Sequence, residues 1–107
     1  MSNTLQRILI VVESGEIRIS DHGHDELSED NIFAREVIAG IREAIVIEDY
    51  PYDPKGPCVL VLQRDGTSQP IHVVWGIPRN ADSPAVVVAA YWPDSDKWTN
   101  DFLRRKR

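Results

Sequence analysis

One cysteine, Cys58, is present in 107 residues, so no internal disulfide can staple the chain. That usage points to a reducing cytoplasm. Long apolar runs are also missing, and nothing approaches the roughly 20 residues of a membrane span. The stretch from Leu5 to Val12 is too short for a secretory signal, contains Arg7 and lacks a cleavage site. No HExxH, CxxC, GxSxG or phosphate-cradling glycine loop occurs. Their absence removes the common sequence routes to zinc proteolysis, serine hydrolysis and P-loop nucleotide binding. Bulk positive charge is absent too. A net charge of −5 and a pI near 5.1 argue against a protein that coats nucleic acid.

What is there fits one soluble domain over residues 1–107, with 42% hydrophobic and 27% charged residues. A chain of this size supports one two-layer core. Its charge is uneven. Residues 1–57 carry twelve acids and five bases, whereas residues 58–107 carry five acids and seven bases. Residues 97–107 hold five bases against Asp101 alone. This basic end follows Tyr91-Trp92-Pro93 and includes Trp98. Aromatic faces beside guanidinium groups suit stacking on bases and pairing with phosphates. They equally suit an anchored last strand, with Trp98 as the anchor and Arg104 to Arg107 as a solvated tail.

Leu5, Ile8, Leu9 and Val12 recur at helical spacing, and Gly15 would end that helix. Glu16 to Ile19 alternates and reads as a short extended entry. Ser20 or Asp21 can cap a short helix through His24 to Leu27. Ser28 or Asp30 is predicted to cap a stronger one over Asn31–Gly40, with Phe33, Ala34, Val37, Ile38 and Ile41 on its apolar face. The period then changes to two. Strands are predicted at Ala44–Asp49, Cys58–Arg64, Pro70–Ile77 and Ala85–Trp92, with a proline-rich loop after the first. Helices first and strands second imply an α+β fold: helices on one face of a mostly antiparallel sheet of about four strands.

The chemistry-bearing residues are few. Ile71, Val73, Trp75 and Ile77 share one strand face, and His72, Val74 and Gly76 share the other. If the bulkier set faces the helices, His72 lies on the open side, with the small Gly76 leaving room for an approaching group. His72 then serves either as a cross-strand hydrogen-bonding residue or as a general acid or base. His22 and His24 point roughly 200° apart on a helix and could not both grip one ion there. In an extended loop they could, and His72 would complete a three-histidine metal set. Tyr91 and Trp92 face opposite sides of the last strand.

Several segments in order resemble the bacterial domain-of-unknown-function family numbered 4258. They are Ile19-Ser20-Asp21-His22-Gly23, Ala39-Gly40, Glu48-Asp49-Tyr50-Pro51, Gly56-Pro57, Leu60-Val61-Leu62, Ile71-His72-Val73-Val74 and Tyr91-Trp92-Pro93-Asp94, then Trp98 and Arg104-Arg105. The resemblance runs over about residues 17–105. That family is similar, at a distance, to the RelE, BrnT and MqsR toxins. The resemblance implies a RelE-like layout and metal-independent RNA cleavage with no cofactor, beside an antitoxin protein. It further implies His22 or His72 as base or acid with Tyr91 as the other partner. Arg104 or Arg105 would hold the phosphate, and an exposed tryptophan would stack a base. Two features depart from the pattern. Asp25, Glu26, Leu27 and Ser28 stand where the family often has an arginine, and Arg64 and Arg79 are the only cations at the strand ends. Two other functions compete: a non-catalytic protein-interaction module, and a small metal-binding protein using His22, His24 and His72.

Overall fold

The computed structural model describes residues 2–106. Helix α1 (Asn3–Glu13) starts where the Ser2 side chain accepts the Leu5 N–H at 3.0 Å, and it stops before Gly15, whose φ of 81° suits glycine. Strand β1 (Ile17–Ile19) follows, then α2 (Asp21–Glu29), α3 (Ala34–Gly40) and a 3₁₀ turn at Ile41–Glu43. The remaining strands are β2 (Ile45–Tyr50), β3 (Cys58–Arg64), β4 (Pro70–Gly76) and β5 (Ala85–Tyr91). They form one open sheet in the order β1-β5-β4-β3-β2.

The α+β class and the helix-covered face agree with the sequence pattern, but the strand count is five rather than about four. The addition is Ile17–Ile19, which pairs with Ala85–Val87 in parallel and makes the sheet mixed. Three residues are too few for periodicity to separate a strand from an extended entry. The stronger helix also starts later than expected, at Ala34 rather than Asn31. Asn31 has a φ of 54°, and the Ile32 N–H bonds the Leu27 carbonyl at 2.9 Å. Residues 31–32 therefore close α2 with a left-handed cap instead of opening α3.

The core forms between the helices and one sheet face. Leu5 and Ile8 of α1, Leu27 of α2 and Val37 of α3 join Val59, Val61, Ile71, Val73, Trp75 and Val87 in one buried cluster. Gln63 is the polar member of this layer. It accepts from the Trp75 indole at 2.8 Å and donates to the Val37 carbonyl at 2.7 Å, so its buried amide is satisfied at both ends. Among the described residues, no helix is long and apolar enough to cross a membrane.

Helix α2 lies against β5, and its side chains occupy backbone groups beyond the end of short β1. The Ser20 hydroxyl donates to the Val88 carbonyl at 3.0 Å. The Ala90 N–H donates to Glu26 at 3.1 Å, and the Trp92 N–H donates to Asp30 at 2.9 Å. Gly23 permits the approach: a Cβ there would come within 2.6 Å of the Val87 carbonyl oxygen.

The second sheet face is not open. Leu62, His72 and Tyr91 are register partners across β3, β4 and β5, so they share this side. Leu60, Leu62 and His72 are buried. The segment after β5 folds back over the face, and Trp98, 6% exposed, sets its indole edge-on to the His72 ring at 4.3 Å. This segment is ordered by its own short ladder. The Thr99 N–H bonds the Arg104 carbonyl at 2.8 Å, and the Lys106 N–H bonds the Lys97 carbonyl at 2.9 Å. Asp101 ties the turn by accepting from Thr99 Oγ1 at 2.6 Å and the Leu103 N–H at 3.0 Å. Arg104, Arg105 and Lys106 are solvated as expected, but their backbone is tied into a clasp as far as Lys106; Arg107 lies outside the described residues. The room expected beside Gly76 is also taken, because a Cβ there would sit 3.3 Å from Cys58 and from the Pro57 carbonyl.

Candidate active site at the end of strand β5

The end of β5 and the clasp enclose a cleft of about 630 Å³. Tyr91, Trp92, Lys97, Trp98, Arg105 and Lys106 line it, together with Asp94 and Asp96. A larger hollow of about 840 Å³ lies between α3 and the β3–β4 turn, with Arg35, Glu36, Glu43 and Arg64 among its mixed charges. None of the residues predicted to act chemically is there. The smaller cleft holds the aromatic and cationic groups and is the candidate site.

Arg105 is its centre. The guanidinium stands 4.9 Å from the Trp98 ring centroid and pairs through Nη2 with the Glu48 carboxylate at 2.7 Å. Its positive charge is felt by three neighbours: it opposes protonation of His72 and favours ionisation of Tyr50 and Tyr91. For Tyr91 the stronger influence is burial, reinforced by Glu26 and Glu48, and the phenol is held above its ordinary value. It therefore carries its proton at neutral pH. Among the described residues no hydrogen-bond partner meets its hydroxyl. A protonated phenol without an internal partner is able to donate to a ligand.

His72 is more constrained. Its ring lies 5.6 Å from the Tyr91 ring and is fully buried. Nε2 is 2.8 Å from the Phe102 carbonyl oxygen; a carbonyl only accepts, so Nε2 carries the hydrogen. Nδ1 is buried with no partner among the described residues. Burial, aided by Arg105, pushes the imidazole below its ordinary value even though the Phe102 carbonyl opposes this. At neutral pH His72 is therefore neutral, and one nitrogen is committed to holding the clasp.

The other predicted residues are arranged less compactly. His22 is exposed on α2 with Nε2 3.5 Å from Glu26, whose same oxygen receives the Ala90 N–H beside Tyr91. It thus belongs to the neighbourhood through Glu26. Arg104 is exposed and does not line the cleft, so Arg105 is the member of the pair that the fold brings to Tyr91. Trp92 is the half-buried tryptophan on the cleft, its orientation fixed by an indole hydrogen bond of 2.7 Å to the Asp30 carbonyl. The three histidines do not converge. Among the described residues, no group of three or more His, Cys, Asp or Glu side chains is placed to hold a metal ion.

Sequence reading missed Glu26, Glu48 and Lys97 as members of this site. Glu48 left little signal, since with Asp49 it closes an apolar strand run as an ordinary acidic pair. A register shift between Val46 and Glu48 then settles which way it points, and that shift has no signature in the pattern.

No curated protein and no solved structure matches the chain. Residues 19–92 match a protein family described as Domain of unknown function (DUF4258). The match runs from the last residue of β1 to the first residue beyond β5, including His22, His72 and Tyr91, and it ends before Trp98 and Arg105. It is shorter than the 17–105 span of the resembling motifs, yet it covers more than half of the chain. The chain belongs to the DUF4258 family.

Proposed function

We propose that this domain is a RelE-like, toxin-type ribonuclease that cleaves single-stranded RNA at the β5 cleft without requiring a metal. One observation carries the reading: Arg105 is held beside a protonated Tyr91 in a cleft that also presents Lys97, Lys106 and Trp92. RNA cleavage by its own 2′-hydroxyl needs cations on the phosphate, an acid for the leaving 5′-oxygen and a base for the 2′ proton. Arg105, aided by Lys97 and Lys106, suits the first role. The Tyr91 hydroxyl suits the second, and Trp92 offers a face on which a base stacks. The base comes from the histidine side of Tyr91, where His22 is exposed and His72 is held by the Phe102 carbonyl. Such an activity belongs in a cytoplasm, beside an antitoxin protein that restrains it.

A second reading has its own support. His72 Nε2 and the Arg105 guanidinium are both occupied internally, which favours a non-catalytic protein-interaction module. Expression in a bacterium separates the two. A ribonuclease arrests growth, and Tyr91→Phe or His72→Ala relieves the arrest while the protein still accumulates. Harmless expression of the wild type, with intact RNA, supports the interaction module. A short reading frame beside this gene, encoding a protein that restores growth, would identify the antitoxin.

A further inference from the structure

Resting on the ribonuclease reading, we infer that Glu48 is a resident substitute for the RNA phosphate, an internal carboxylate that substrate must displace from Arg105. Glu48 reaches Arg105 from β2, the far edge of the sheet from β5, and does not itself line the cleft. Its carboxylate meets the Arg105 guanidinium at 2.7 Å, and both side chains keep contact with solvent, at 36% and 58% exposure. Such a pair is labile, since solvent screens exposed ion pairs and leaves them weak. A phosphodiester offers the same planar guanidinium two acceptor oxygens and can take over the contact. The rest of the Arg105 environment survives the exchange, because Trp98 supports the guanidinium from below independently of Glu48.

Two consequences are built into the geometry. Glu48 and an incoming phosphate carry the same sign, so the carboxylate weakens every anionic ligand that approaches Arg105. The Arg105–Glu48 pair also ties the clasp to β2, and an anion that takes Arg105 releases that tie. Occupancy of the cleft is thereby coupled to the fit of the clasp over His72. The ligand class that profits is one with a phosphate and a stacking base together, since a simple anion gains nothing from Trp92.

The test is fluorescence anisotropy of a short fluorescein-labelled single-stranded RNA, titrated with full-length protein. Glu48→Gln, Arg105→Ala, the double variant and Asp82→Asn are compared with wild type. Asp82 is exposed in the β4–β5 loop and controls for the loss of one negative charge. Glu48→Gln should bind about 2- to 5-fold more tightly, the range that a released surface pair gives. Asp82→Asn should leave affinity unchanged, and the gain from Glu48→Gln should vanish in the Arg105→Ala background. Circular dichroism melts of each variant separate lost binding from lost folding. Wild-type binding with no gain in Glu48→Gln, or an equal gain in Asp82→Asn, overturns the displacement while leaving RNA binding standing. Absence of binding by wild type and Glu48→Gln alike overturns the RNA reading itself.

Discussion

His72 illustrates how one residue joins stability to the site. Its unfolded-state imidazole takes a proton as pH falls through about 6.5, whereas the folded one, buried against Trp98, Tyr91 and the Phe102 carbonyl with Arg105 nearby, resists it to lower pH. The sign follows from proton uptake. Stability is complete above the unfolded value, declines as pH falls below it, and levels off below the folded value. His72→Gln keeps a donor for the Phe102 carbonyl and removes the titration. Urea midpoints should fall more steeply between about pH 7 and 5 in wild type than in His72→Gln; parallel curves would show that His72 does not titrate with folding. In the sequence, alternation correctly set His72 on the side away from the helices. It could not show that this side is covered, because the covering residues lie 26 to 30 positions later and carry no strand period.

Among the elements, the clasp decides what the second sheet face can do. Trp98 supplies both the lid over His72 and the platform beneath Arg105. Trp98→Ala removes a buried indole and should cost about 3–5 kcal/mol in chemical denaturation. It should also weaken RNA binding, though by less than Arg105→Ala does, since the guanidinium remains but loses its support. A stability change below about 1 kcal/mol would mean that the clasp is only loosely applied. The strands β3, β4 and β5 were the most legible elements because each is a seven-residue, valine-rich run bounded by turn residues. The start of α3 was not, since Asn31 reads equally as a helix residue and as a left-handed cap. Short β1 was seen as extended, but its parallel partner, nearly seventy residues away, could not be.

Across the whole molecule, an acidic protein concentrates cations at one end of its sheet. The net charge of −5 speaks against bulk binding of nucleic acid. Lys97, Arg105 and Lys106 nevertheless converge on one cleft beside Tyr91. Of this site, Tyr91 and Arg105 were legible from residue chemistry and motif order. The selection of Arg105 over Arg104 was not, because it depends on which member of a two-residue ladder faces the sheet. Glu48 and Glu26 became visible only through their partners, since Glu48 pairs with Arg105 and Glu26 accepts from the Ala90 N–H.

In the proposed ribonuclease, Tyr91 is the acid and Arg105 the phosphate clamp. The most direct measurement of these roles is cleavage of a labelled single-stranded RNA by purified protein in the presence of a chelator, with products resolved by gel. Wild type should give discrete products ending in 2′,3′-cyclic phosphate. Tyr91→Phe should be slower by about 100-fold or more while still binding RNA, the range for loss of a general acid. Arg105→Ala should lose both binding and cleavage. RNA left intact by wild-type protein, or cleaved equally well by Tyr91→Phe, would contradict the account.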